Sequence, residues 1–225
     1  MNDTTISEHR LTLAEVLEML VADGLVEAEE ANALRTERKL HGDRTHPLVV
    51  IAEQKFRNLK LPARLLTLEV LTEWLANRVG LAYLHIDPLK VDFSGVADVM
   101  SSAYAARFTI LPVEINAREV VIATAEPFVR EWEKELVHIL RKEIRRVMAT
   151  PTDIARYLVE FFNLAKSIKK ASLKGNVNAS ISSFEQLVDL GKTNRPLDAN
   201  DQHVVHIVDW LWQYAFDQRA SDIHV

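Results

Sequence analysis

Cysteine is absent from the 225 residues, so no thiolate zinc site can form among them. Glycine is scarce: there are six, and none belongs to a G-x-x-x-x-G-K-[ST] run, the loop that cradles nucleotide phosphates. ATP hydrolysis is therefore not expected of these residues. No Ser/His/Asp or paired-carboxylate arrangement stands out either, because the acids are scattered through amphipathic helices as solvated faces. No apolar stretch approaches the roughly 20 residues that cross a bilayer. The start, Met1-Asn-Asp-Thr-Thr, lacks a basic segment followed by an apolar one, the pattern of a secretory signal. Basic excess is missing too: 27 basic against 32 acidic residues give a net charge of -5, which argues against general nucleic-acid binding. The expectation is a cytoplasmic, non-catalytic module with no cofactor and no metal of its own.

What is present is ordinary for a globular chain, with 48% hydrophobic and 26% charged residues. The first expected element is a helical hairpin. Thr12 and Glu15 form a T-x-x-E capping box, Leu13, Val16, Leu17 and Leu20 make one apolar face, and Gly24 supplies a left-handed stop. Glu29 to Leu40 reads as a second, highly charged helix. His41 to Pro47 is a loop. The apolar run Leu48 to Ala52 is a helix or a strand, which periodicity alone does not decide. Asn58 to Arg64 is a connection.

Helices and short strands then alternate, which predicts a small layered α/β unit with three or four strands. Thr67 caps a helix carrying Leu68, Leu71, Trp74, Leu75 and Val79, and Gly80 ends it. Ala82 to Ile86 reads as a strand and Phe93 to Ala106 as a helix. Two strands, Phe108 to Ile115 and Glu119 to Thr124, flank a hairpin at Asn116-Ala-Arg118. Pro127 to Lys142 is a helix, Arg145 to Ala149 a strand, and Pro151 to Phe162 a closing helix with proline in its first turn. Four regions result: 1–62, helical hairpin and connection; 63–165, the α/β unit; 166–200, a linker by composition; and 201–225. In the last, an apolar helix from His203 to Gln218 runs into alternating Asp222-Ile223-His224-Val225. One helix and a strand stub close no core, so the chain is expected to be the front portion of a longer protein.

The run Asp217-Gln-Arg-Ala-Ser-Asp-Ile-His224, behind an apolar helix, resembles the opening of the second N-terminal domain of the type II secretion and type IV pilus assembly ATPases. A second resemblance to this family covers about residues 66–163, with a looser match over 10–37. It is carried in order by Gly80-Leu-Ala-Tyr-Leu84, Ala105-Ala-Arg-Phe-Thr-Ile-Leu-Pro-Val113, Val121-Ile-Ala-Thr-Ala-Glu-Pro127, Arg146-Val147 and Asp153-Ile154. The resemblance implies a hexameric ATPase parent whose nucleotide-binding motor lies outside these residues. It implies that this module docks the motor onto the cytoplasmic domain of an inner-membrane platform protein, making it peripheral at that membrane through its partner.

The alternative implied by the same resemblance is a regulatory domain that binds cyclic di-GMP. The sensing version carries an Arg-Leu-Gly start and an Ala-Leu-x-x-Gln end in tandem copies. Here Arg10 and Leu11 are the ligand candidates, but Thr12 replaces the glycine. Ala33-Leu34 is followed by Glu37 where glutamine would stand, and Arg78 holds that position in the partial second copy. An extra carboxylate is unhelpful beside an anionic ligand. The bland reading of Arg10 is a solvated residue at a helix start.

Other candidates also have bland readings. His203 and His206 have helical metal-binding spacing but no convergent carboxylate. Asp222 and His224 share a strand face without an assigned activity. The basic run Arg141 to Arg146 reads as a solvated helix end, or as an attraction for an acidic partner or membrane face. Lys166, Lys169, Lys170 and Lys174 read as a charged linker. Trp74 and Trp132 read as core. Trp210 and Trp212, two apart, cannot share a helix face.

Overall fold

The computed structural model describes residues 8–39, 45–91, 93–173 and 212. Two compact units divide the chain. One joins residues up to 86 with Ala103–Leu158; the other joins Asp87–Ser102 with residues from 159 onward.

The first unit starts with α1 (Leu13–Ala22) and α2 (Ala28–Lys39). Thr12 caps α1, its hydroxyl accepting from the Glu15 amide at 3.2 Å. The Glu15 carboxylate lies against His9 Nε2, at 2.9 Å, so the side chain expected to return to the cap is held by a histidine. Gly24 takes φ 64° and the Leu25 amide reaches back to the Leu20 carbonyl at 2.9 Å, closing α1 with a left-handed turn. The ambiguous apolar run is helical, forming α3 (Pro47–Glu53). Pro47 sits at its start and His46 Nδ1 accepts the Leu48 amide, a helix N-terminus that the strand option lacks. α4 (Leu68–Val79) has the expected Thr67 cap and ends at Gly80, φ 71°. Val16, Leu17, Leu20, Leu48, Ile51, Leu66, Leu71 and Leu75 share one buried core with Met148. The expected boundary at 62/63 runs through that core.

β1 (Ala82–Tyr83), β2 (Ile110–Ile115), β3 (Glu119–Thr124) and β4 (Glu143–Met148) form a mixed α/β sheet in the order β1-β4-β3-β2. β1 and β3 flank β4 in parallel, and β2 pairs antiparallel with β3. β3 is buried from Val120 onward, as its unbroken Val-Val-Ile-Ala run requires of a strand covered on both faces. The outer strand β2 carries Pro112, beside an irregularity in its register with β3, a placement that an edge strand tolerates.

Several boundaries differ from expectation. β1 has two residues rather than five, because its partner β4 ends at Met148, whose carbonyl takes a last bond from the Leu84 amide at 2.8 Å. The helix expected over Phe93 to Ala106 is two: α5 (Phe93–Val99), in the second unit, and α6 (Ser102–Phe108), in the first from Ala103 onward. Ser101-Ser102 favours a new helix start over a helix interior. α6 also takes Phe108, so β2 begins at Ile110. α7 spans Glu131–Leu140, because a turn at 126–129 precedes it, closed by the Val129 amide on the Glu126 carbonyl.

The last helix, α8, runs Pro151–Leu173. Residues 166–173, expected as the start of a linker, therefore continue a helix. In the second unit Val91, Val96, Val99 and Met100 are buried, as are Phe161, Leu164 and Ala165 of α8. The expected linker beyond 173, the helix and strand stub of 201–225, His203, His206, Asp222, His224 and Trp210 lie outside the described residues. Trp212 is helical and exposed.

Candidate functional site

The extended segment before α1 lies across the end of β3, and Glu126 organises the contact. Its carboxylate accepts the Leu11 amide at 2.8 Å. Thr124 supports the turn by accepting the Glu126 amide at 3.0 Å. His46 approaches from the α3 start, with Nε2 at 3.2 Å from the Ala125 carbonyl and 3.7 Å from the Glu126 carboxylate. Because Nδ1 accepts the Leu48 amide, the proton sits on Nε2 and donates to the carbonyl. Burial pushes the His46 pKa down to about 4, helped by Arg10 and opposed by the Ala125 carbonyl. Burial pushes the Glu126 carboxyl up, against the Leu11 amide and the charges of Arg10 and His9. The His9 ring stacks on Phe128 at 5.0 Å between centroids.

Beside this latch is a shallow groove lined by Glu8, His9, Arg10, Arg107, Phe108, Val129 and Glu131. The two sequence candidates separate here. Leu11 is buried and contributes its backbone amide to the latch. Arg10 is exposed, yet Nη2 donates to the Arg107 carbonyl at 2.8 Å, so its guanidinium is partly committed to bracing α6. The other positions of the sensing pattern do not gather at the groove's lining. Leu34 is buried in the α1–α4 core, and Arg78 pairs with Asp23, which also accepts from Trp74 Nε1. Glu126, His46, Arg107 and Phe108 join the site through contacts that no local sequence pattern marks for these residues individually. The Glu126-Pro127 pair was visible as a motif, and a buried acid after an apolar strand was the available signal.

The basic run divides. Arg141 ends α7 in a left-handed conformation. Arg145 and Arg146 are on β4, where Arg145 pairs with Glu119 and Arg146 with Glu133. Lys142 donates to the Asn116 carbonyl at 2.7 Å. Lys142, Arg145 and Arg146 brace the sheet, which corrects the reading of a solvated helix end for them, whereas Arg141 is exposed at the end of α7 as that reading has it. Trp132 is buried as expected, and Trp74 is packed against the α1–α4 core. Among the described residues no three His, Cys, Asp or Glu side chains gather as metal ligands, and no helix is long and apolar enough to cross a membrane.

Residues 79–168 match the MshEN domain family. The match begins at the last residue of α4, includes the whole sheet and extends into α8. MshEN domains occur at the N-terminus of type II secretion and type IV pilus ATPases, the group that the sequence resembles. Over 211 residues the chain is 35% identical to the type IV pilus assembly ATPase TfpB of Acinetobacter baylyi, a match covering 93% of this chain and 36% of TfpB. The chain thus spans about a third of that relative's length. A solved structure described as MshE with cdg is similar at 17% identity and a TM-score of 0.47, over 68% of this chain and 99% of that one. The α1–α3 segment with the Leu11 side of the latch precedes the MshEN match, whereas Glu126 lies inside it.

Proposed function

We propose that this chain is a non-catalytic module of a type IV pilus or type II secretion ATPase, and that it docks the motor onto the cytoplasmic domain of an inner-membrane platform protein. The observation that carries the reading is the MshEN match within a chain 35% identical to a pilus assembly ATPase. The geometry supports recognition: α7 presents Ile139 to solvent at 62% exposure, near the exposed Arg141 that ends the helix. An exposed apolar side chain beside a charge suits a protein contact. The module then works in the cytoplasm, peripheral to the inner membrane through its partner, within a hexameric parent.

Cyclic di-GMP binding is the second reading. In its favour, Arg10 and Arg107 meet beside Phe108 at one groove, and arginine with an aromatic ring suits a phosphate and a base. Against it, Glu8 and Glu131 line the same groove and Arg10 is engaged with a carbonyl.

Calorimetry of the chain against the platform protein's cytoplasmic domain and, separately, against cyclic di-GMP decides between them. Docking predicts heat with the protein alone, weakened at least about tenfold by Ile139→Asp, as for a central apolar contact. Binding of the dinucleotide alone, abolished by Arg107→Ala, reverses the order.

A further inference from the structure

Between α3 and α4 the chain reads Lys55-Phe-Arg-Asn-Leu-Lys-Leu-Pro-Ala-Arg-Leu65. It holds four cations and no acid, in a protein whose net charge is -5. All four cations, Lys55, Arg57, Lys60 and Arg64, are exposed. So are three leucines, Leu59 at 41%, Leu61 at 53% and Leu65 at 44%. Single exposed leucines are commonplace; three among four cations on one loop are not.

The loop is built rather than slack. The Asn58 side chain accepts the amides of Lys60 and Leu61 at 2.9 and 3.2 Å. Its backbone amide donates to the Arg64 carbonyl at 2.9 Å, and the Leu66 amide to the Phe56 carbonyl at 2.8 Å. The Leu59 amide fastens the loop to the α1–α2 turn through the Leu25 carbonyl at 3.2 Å. The neighbouring acids are already engaged: Asp23 pairs with Arg78 and Glu53 with Arg38. Asp23 also feels the charge of Lys60, while Lys55, Arg57 and Arg64 stay exposed on the loop.

We propose that this loop contacts an anionic lipid bilayer directly, its cations at the headgroups and Leu59, Leu61 and Leu65 at the acyl boundary. Cations draw a protein to a negative leaflet, and apolar side chains between them hold it there. A bilayer is favoured over an acidic protein because the leucines project from a tight turn. A fluid surface accommodates such a tip without a matching pocket. The contact is independent of the docking reading, which uses α7.

The test is sedimentation of the whole chain with vesicles of equal parts phosphatidylglycerol and phosphatidylcholine, and with phosphatidylcholine alone. Binding is expected to the anionic vesicles only and to fade as salt is raised. Lys60→Glu with Arg64→Glu should weaken it at least about twentyfold, since each cation near such a surface contributes about fivefold. Leu59→Ser with Leu61→Ser should weaken it as well. Arg118→Glu with Lys134→Glu, an equal charge change elsewhere on the surface, should leave binding near wild type after allowance for net charge. Melting midpoints confirm that each variant is folded. No binding to anionic vesicles, or binding that the loop pairs leave unchanged, overturns the proposal. So does loop-dependent capture of a Glu- and Leu-rich helical peptide without vesicle binding, which would make the loop a protein contact.

Discussion

The backbone amide of Leu11 and the carboxylate of Glu126 meet at 2.8 Å across 115 residues of sequence. One buried acid thus fixes where the first helix enters the layered unit. Glu126→Ala leaves that amide buried without an acceptor and should cost about 1–3 kcal/mol. Glu126→Gln, which keeps an acceptor oxygen, should cost less. Urea denaturation of the two variants checks the order; equal losses would show that the bond is not what matters.

His46 gives the fold a pH dependence whose sign follows from burial. Its folded pKa, about 4, lies below the ordinary 6.5, so the unfolded chain takes up the proton first. The stabilisation is complete above about 6.5 and is lost as pH falls toward 4. From pKa values of 6.5 and about 4, wild type should lose on the order of 3 kcal/mol relative to His46→Asn between pH 7 and pH 4. Glu126 acts oppositely: its raised carboxyl pKa gives a stabilisation that fades as pH rises through the carboxylate range. Denaturation midpoints of both proteins across this window test the difference, and parallel curves would refute it.

Gly80 has φ 71° and open space where a Cβ would go. Gly80→Ala should therefore cost about 1 kcal/mol, from backbone strain alone. Thermal melting reads the shift; a much larger loss would mean a clash that the space around Gly80 does not predict.

Asn58 holds the 55–65 loop through its own side chain. Asn58→Ala should cost about 1–2 kcal/mol and speed hydrogen exchange at the Lys60 and Leu61 amides. Unchanged exchange at both would place the loop's order elsewhere.

The helix caps were legible because Thr12, Thr67, Gly24 and Gly80 act on their nearest neighbours. β3 was legible because a strand covered on both faces writes itself as an unbroken apolar run. The length of β1 was not, since it depends on where β4 stops, a fact set about 65 residues away. Leu48 to Ala52 stayed ambiguous because five apolar residues fit either period, and the deciding features were His46 and Pro47 just before them. Of the candidate site, Arg10 and Leu11 were named for a ligand, yet the structure uses Leu11 through its backbone, which side-chain patterns do not reveal. His46 and Glu126 escaped notice because their meaning comes from contacts 79 and 115 residues distant.

Pro112 sits on the outer strand β2, where a proline withholds a backbone donor. Residues 110–113 of that strand are buried, so the sheet's last strand is sheltered from solvent where its donor is missing.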